Sequence, residues 1–358
     1  MNLPLLTISA RYGWMTQQSR FSASIAGREK KNYTLLEKHQ LSYNHGNSKV
    51  AIYGTVYELT NYDEALVPKV YHSFSLTPEN LSKFIEAYFH TKKLDAQLGK
   101  FIASTARMDG LLNISFDDFM KVKLFAPEQC EQSKISRIIN LIEKLITLQQ
   151  RKLEILIKLK RSFLTKSMAN SLDKNPELYF NSASVKWLKQ KLSDLTIKEF
   201  KGNTKLNDTK PGKTEYLDAE RLNGNVPLFI DKPINTLKSD ILILWDGSKA
   251  GSVYYGFEGS LGSTLKAIRL NPKLVNSFFV YQQLKSKQDV IFNKYRTPNI
   301  PHVIKNFTKV YPIYFPSMAV QNKIARFLGN LDTLIEIQQK SIKDHKVIKK
   351  YLLQKLFI

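Results

Sequence analysis

The sequence predicts an α+β protein built twice over: two globular domains of mixed strands and helices, each followed by a long helix, with the two helices paired as an antiparallel coiled coil of pseudo-two-fold symmetry. Three observations carry the duplication. Pro127 to Ala169 aligns without gaps on Pro316 to Ile358 at a constant offset of 189 residues, with twelve identities that include Gln132/Gln321, Arg137/Arg326 and Gln149/Gln338. Both copies space apolar residues alternately by three and four, the period of a helix with one buried face. The stretches ahead of the two copies repeat the same strand and turn signals in the same order.

Composition sets the bounds. The chain has 358 residues and a formal charge of +23, with 43% apolar residues. At ~150 residues per domain it should hold two or three units, each able to bury a core. The lone Cys130 cannot close an intramolecular disulfide, and no apolar run reaches the ~18 residues of a membrane span. Met1-Asn2-Leu3-Pro4 lacks the basic and apolar regions of a secretion signal. A soluble, reduced, cytoplasmic protein with no membrane partner is expected. So large a positive balance favours a polyanion, because Lys and Arg that neutralise phosphates release counterions.

The elements follow in order. Residues 1–124 form the first domain, where the strand Leu41 to Tyr43 leads into the turn His45-Gly46-Asn47-Ser48-Lys49 and then Tyr53-Gly54. Leu76-Thr77-Pro78 opens an amphipathic stretch ending near His90. Residues 125–171 are the first long helix, opened by Pro127, with Ile135, Ile138, Ile142, Leu145, Gln149, Leu156, Leu159 and Phe163 expected on its buried face. Residues 172–184 are a polar linker. Residues 185–315 are the second domain, in which Ile241 to Trp245 precedes the turn Asp246-Gly247-Ser248-Lys249 and Tyr255-Gly256, and Leu270-Asn271-Pro272 opens a helix ending near Lys285. Residues 316–358 are the second long helix, with Ile324, Phe327, Leu331, Leu334, Gln338, Ile348 and Leu352 on the same face. A glutamine on the seam of each helix costs stability but penalises wrong registers.

No catalytic constellation emerges. The six histidines and Cys130 lack metal-ligand spacing. Gly212-Lys213-Thr214 resembles the end of a phosphate loop, but Asn207 stands where the first glycine is needed. Glu199, Lys201 and Asp246 are fragments of a nuclease pattern too short to carry weight. No Asn-Pro-Pro-aromatic motif is present to hold a flipped base. No metal and no cofactor is therefore expected. Base reading needs Arg, Lys, Asn or Gln in polar loops. The first domain offers Arg11, Gln17, Gln18, Arg20, Arg28, Lys30, Lys31, Asn44, Lys49 and Arg107. The second offers Lys201, Asn203, Lys205, Asn207, Lys210, Lys213, Lys249 and Arg296. Lys49 and Lys249 lead, because the Ser-Lys turn recurs at corresponding places.

The order domain, helix, domain, helix resembles the specificity (S) subunit of type I restriction–modification enzymes. The helices of that family open with Pro-x-x-x-Glu-Gln-x-x-Ile, matched here by Pro127, Glu131, Gln132 and Ile135 and, with Val320 in place of the glutamate, by Pro316, Gln321 and Ile324. Leu6 to Gly13, Asn32 to Leu35 and the ending Leu352 to Phe357 are also similar to it. The resemblance implies a non-catalytic DNA-recognition subunit. Its partners would be double-stranded DNA, two methyltransferase (M) subunits and, through the complex, restriction (R) motor-nuclease subunits. Antiparallel helices of ~60 Å would place the two recognition domains at opposite ends, one to two turns of ~34 Å apart on B-DNA, so the target should be asymmetric and bipartite. The methyltransferases would dock on Lys134, Arg137, Gln150 and Lys160 and on their repeats Lys323, Arg326, Gln339 and Lys349. One departure stands out. The second domain opens with Trp187 to Leu192 well ahead of Leu217-Asp218-Ala219, whereas the first has nine residues before Ala10, so its opening segment is expected to be missing. The alternative reading is a stand-alone DNA-binding protein or a coiled-coil scaffold.

Overall fold

The computed structural model describes residues 3–21, 33–46, 48–103, 111–168, 186–297 and 301–357. They divide into two compact units, Met1–Arg151 with Lys340–Ile358, and Lys152–Gln339.

In the first unit Leu41–Asn44 is the middle strand of an antiparallel sheet, between Thr55–Glu58 and His72–Phe74. Leu41, Ser42 and Tyr43 are all buried, which requires cover on both faces of the strand. Helix Ser82–His90 supplies part of it through Phe84, Ile85, Ala87 and Tyr88. A second, smaller core lies under the hairpin Leu6–Ser9/Gly13–Thr16 and the pair Tyr33–Glu37/Glu64–Pro68, built from Leu6, Ile8, Leu36, Leu59, Ala65 and Val67. Gly54 has φ +83° and a side chain there would meet the Asn44 carbonyl at 2.6 Å, so the tight return after Tyr53 admits only glycine.

In the second unit Ile241–Leu244, buried at all four positions, pairs antiparallel with Val253–Tyr254 and with Leu265–Leu270, which in turn pairs with Thr196–Lys201. The predicted helix is Ser277–Ser286, started by Asn276, whose side chain accepts from the Phe279 N–H. Buried Asp240 is balanced by a two-pronged Arg269 guanidinium with both bonds at 2.8 Å, the geometry that best repays a buried carboxylate. The domain closes where it began: Leu188–Lys191 pairs antiparallel with Pro312–Phe315, immediately before the C-terminal helix. Residues 123–126 stand one repeat length earlier in the first unit, and there they form no strand.

The central helix runs Gln129–Ser167 and the C-terminal helix Met318–Lys355, each starting two residues after its proline. In the first unit Ile135 and Ile139 share a core with Phe357, against which Leu352, Leu353 and Leu356 pack, while Lys349 bonds Glu143 at 2.7 Å. Burying Phe357 alone contributes on the order of 2–3 kcal/mol. In the second unit the same contacts appear with the copies exchanged. Ile324 and Leu328 pack with Met168, Phe163 and Leu164, and Lys160 bonds Asp332. In both units the two helices run antiparallel.

The buried face differs in part from the expected one. It takes Ile139 and Ile146 rather than Ile138 and Leu145, and Leu328 rather than Phe327. Ile138, Leu145, Leu159, Phe327, Leu334 and Ile348 stay 36–47% exposed. The reason lies at the helix starts: buried Gln132 and Gln321 turn toward their own domains and fix the rotation. A 3–4 spacing counted from them passes through 135, 139, 142, 146, 149, 153, 156 and 160, so both seam glutamines keep their places.

Candidate nucleic-acid interface

Three of the predicted second-domain cations meet at one turn. Strand Ile241–Leu244 delivers Asp246 to Lys249 to the surface, with Gly247 at φ +106° making the reversal. Lys201 bonds Asp246 at 2.6 Å, Arg296 donates to the Ser248 carbonyl at 3.1 Å, and the Gly247 N–H donates to the Pro301 carbonyl at 3.0 Å. Lys201, Lys249 and Arg296 are thus gathered, and two of them hold the turn that presents the third. Lys205, Lys210 and Lys213 are exposed on neighbouring segments, and among the described residues no ion pair joins them to this turn.

Facing the turn is a segment that sequence reasoning missed. Asp218 caps the single helical turn Ala219–Leu222 by accepting from the Arg221 N–H at 2.8 Å. Arg221 is then tied to Glu215, lies over the Phe257 ring and reaches the Asn225 carbonyl, while the Tyr254 hydroxyl donates to Asn223. Between the two segments lies a cleft of about 420 Å³ lined by Glu220, Asn223, Asn225 and residues 246–249. A second cleft of about 680 Å³ shares Glu220 and Asn225, so those two side chains stand on the ridge between them. The Asp218 cap and the Asn223-Gly224-Asn225 turn were the available signals.

In the first unit the predicted readers separate. Gln17 is buried and donates to the Tyr33 hydroxyl at 3.0 Å. Arg20 donates to the Ile8 carbonyl at 2.6 Å and to Thr7, and Asn44 donates to the same Ile8 carbonyl at 3.0 Å. Arg20 and Asn44 thus hold backbone, and Gln17 holds a tyrosine hydroxyl. Arg11 and Lys49 are exposed, and Arg11 lines a cleft of about 230 Å³ with Tyr57, His90, Lys92, Asp95 and Lys349. Burial, seconded by the Lys349 charge, lowers His90 to about 4, so its imidazole is neutral. Arg28, Lys31 and Arg107 lie outside the described residues.

On the long helices Lys134, Arg137, Gln150, Lys323, Arg326 and Gln339 are exposed. Lys160 and Lys349 instead face the other helix, bonded to Asp332 and Glu143. Exposed apolar side chains make a stripe of their own beside the seam, and it repeats: Ile138/Phe327, Leu145/Leu334, Leu148/Ile337 and Leu159/Ile348.

The fragments of catalytic patterns are taken up by structural contacts. Glu199 bonds Lys266 at 2.5 Å and Thr308 at 2.8 Å, and Lys201 bonds Asp246. Lys213 lies in strand Pro211–Leu217 rather than at the head of a helix. Among the described residues no group of three metal-binding side chains occurs, and no helix is long and apolar enough to cross a membrane.

Residues 184–344 match the type I restriction modification DNA specificity domain. The MjaVIII specificity subunit of a type I restriction enzyme from Methanocaldococcus jannaschii is 32% identical over 165 residues, which are 45% of this chain and 39% of that protein. The MjaX specificity subunit of the same organism is 23% identical over 279 residues, 72% of this chain and 63% of that one. The matched stretches thus span less than two thirds of either curated relative. In fold, the chain superposes on the S subunit of a type I restriction-modification system from M. genitalium with a TM-score of 0.61, at 18% identity, over 92% of this chain and 85% of the other. Residues 184–344 are therefore similar to the type I restriction modification DNA specificity domain, in a chain whose fold is that of a solved type I S subunit.

Proposed function

We propose that the chain is the non-catalytic DNA-specificity subunit of a type I restriction–modification complex. Its two recognition domains read the two halves of an asymmetric, interrupted target in double-stranded DNA. Its paired helices dock two methyltransferase subunits, and restriction subunits join through the complex. The observation that carries this reading is the reciprocal helix pair with a free apolar stripe repeated on both copies. A stripe at 3–4 spacing that the chain leaves in water is the shape a partner helix covers, and its duplication supplies two equivalent places for one kind of partner. The charge of +23 supports a phosphate-rich ligand, and binding by the complex should weaken by ~0.9 in log K per log unit of salt for each phosphate neutralised.

The test is co-expression of the full chain with a type I methyltransferase subunit, followed by purification and methylome sequencing of the host. A complex of one chain with two methyltransferases and a bipartite methylated motif is expected. The motif should change when residues 185–315 are replaced, and more cleanly than on replacing the first domain. Failure to copurify, or an unchanged motif after the exchange, would overturn the proposal.

A further inference from the structure

The cleft between Asp246–Lys249 and Ala219–Asn225 holds two ionic groups that no internal contact consumes. The other charges around it are engaged: Lys201 on Asp246, Arg221 on Glu215 and Arg296 on the Ser248 carbonyl. Lys249 is exposed, and its ammonium makes no hydrogen bond or ion pair among the described residues. Glu220 is exposed as well. One of its carboxylate oxygens accepts a long 3.4 Å bond from Asn225, and the other has no described partner.

The two are not paired with each other, although opposite charges on flexible stems in one cleft attract. Their backbones are held independently. Glu220 rides on the Asp218-capped turn that Arg221 locks, and Lys249 on the turn that Arg296 and Pro301 lock. One segment thus presents an anion and the other a cation to the same 420 Å³ space. That arrangement suits a ligand edge with acceptors at one end and a donor at the other. A phosphate fits it poorly, because Glu220 would repel what Lys249 attracts.

Among base pairs, the major-groove edge of G·C runs acceptor, acceptor, donor, from guanine N7 and O6 to cytosine N4. The A·T edge places its donor between two acceptors and ends in a methyl group, which leaves a carboxylate facing an acceptor or a methyl. We propose that Lys249 and Glu220 jointly read one G·C pair in the half-site of the second domain. Lys249 donates to guanine O6 and N7, and Glu220 accepts from the N4 amino group of the paired cytosine. This rests on the specificity-subunit reading above and adds to it two specificity-determining residues and the pair they select.

The experiment is selection from randomised duplexes by the full chain complexed with its methyltransferase subunits, as wild type, Glu220→Ala and Lys249→Ala. Wild type should select a G·C pair at a position that both variants relax, each losing about tenfold to a hundredfold preference there and leaving the other positions intact. The inference is overturned if the variants relax different positions, if the shared position is A·T, or if either weakens all sequences alike as a phosphate contact would. A wild-type complex that selects no motif at all would overturn the parent reading along with it. Both side chains are exposed and outside the cores, so matching thermal melts are the expected control.

Discussion

Gln132 and Gln321 make the same hydrogen bonds in the two halves of the chain. Each amide oxygen accepts from the backbone N–H just ahead of a domain helix, Leu81 at 2.9 Å and Asn276 at 2.8 Å. Each amide nitrogen donates to the carbonyl of the proline before its own long helix, Pro127 at 2.9 Å and Pro316 at 3.0 Å. The side chain fastens three things at once: the start of the domain helix, the entry loop and the rotation of the long helix. With both glutamines buried, no water replaces these bonds.

Truncating either glutamine to alanine leaves buried polar groups unpaired, which costs about 1–3 kcal/mol. The loss should be local. In hydrogen exchange, Gln132→Ala is expected to deprotect the Leu81 amide and leave Asn276 unchanged, and Gln321→Ala to do the reverse. Equal deprotection of both by either variant would contradict the assignment.

The pair Lys160–Asp332 is partly exposed, so its worth is modest, on the order of 1 kcal/mol. Its geometry is still specific. Lys160→Glu should lower the urea midpoint of the full chain, and adding Asp332→Lys should restore most of the loss. A double variant no better than the single one would show that the contact has no energetic role.

Leu145 and Leu334, in the apolar stripe beside the seam, belong to no described core. Leu145→Lys with Leu334→Lys should therefore change stability by less than about 0.5 kcal/mol per site. The same variants are expected to abolish copurification with methyltransferase subunits. A thermal melt and a pull-down on one preparation separate the two effects.

His90 gives the fold a pH dependence. Its value falls from 6.5 to about 4 because burial disfavours the imidazolium. The unfolded chain therefore binds more protons between those values, so the stabilisation is complete above 6.5 and is lost as pH falls toward 4. Denaturation at pH 7 and pH 5 should differ by about 2 kcal/mol from this group. His90→Gln should remove that component of the slope.

Much of this was legible in the residues because repetition and periodicity are sequence properties. The doubled helices, the buried strands Leu41–Asn44 and Ile241–Leu244 and the helices after Leu76 and Leu270 needed nothing else. The rotation of the long helices did need more. Each carries two adjacent apolar stripes, and a period cannot say which of them is buried; only the long-range bonds of Gln132 and Gln321 decide. The site divides in the same way. Lys249 was singled out by its Ser-Lys turn, Lys201 by a polar stretch and Arg296 by its place before the last strand, and the structure gathers the three. Gln17, Arg20 and Asn44 look alike in sequence whether they face solvent or bond inward, to a tyrosine hydroxyl or a backbone carbonyl. Glu220 escaped because a search for cationic and amide readers passes over acids.

The exchange of Lys160–Asp332 for Lys349–Glu143 makes each half of the chain its own mate. Glu143 occupies, one repeat earlier, the place of Asp332. A central helix laid antiparallel on a second copy of itself would set Lys160 against Glu143 twice. Ile135 and Ile139 would then find Leu164 and Met168 where Leu353 and Phe357 now stand. A polypeptide ending after its first long helix would find in a second copy of itself the pairing surface that the C-terminal helix supplies here.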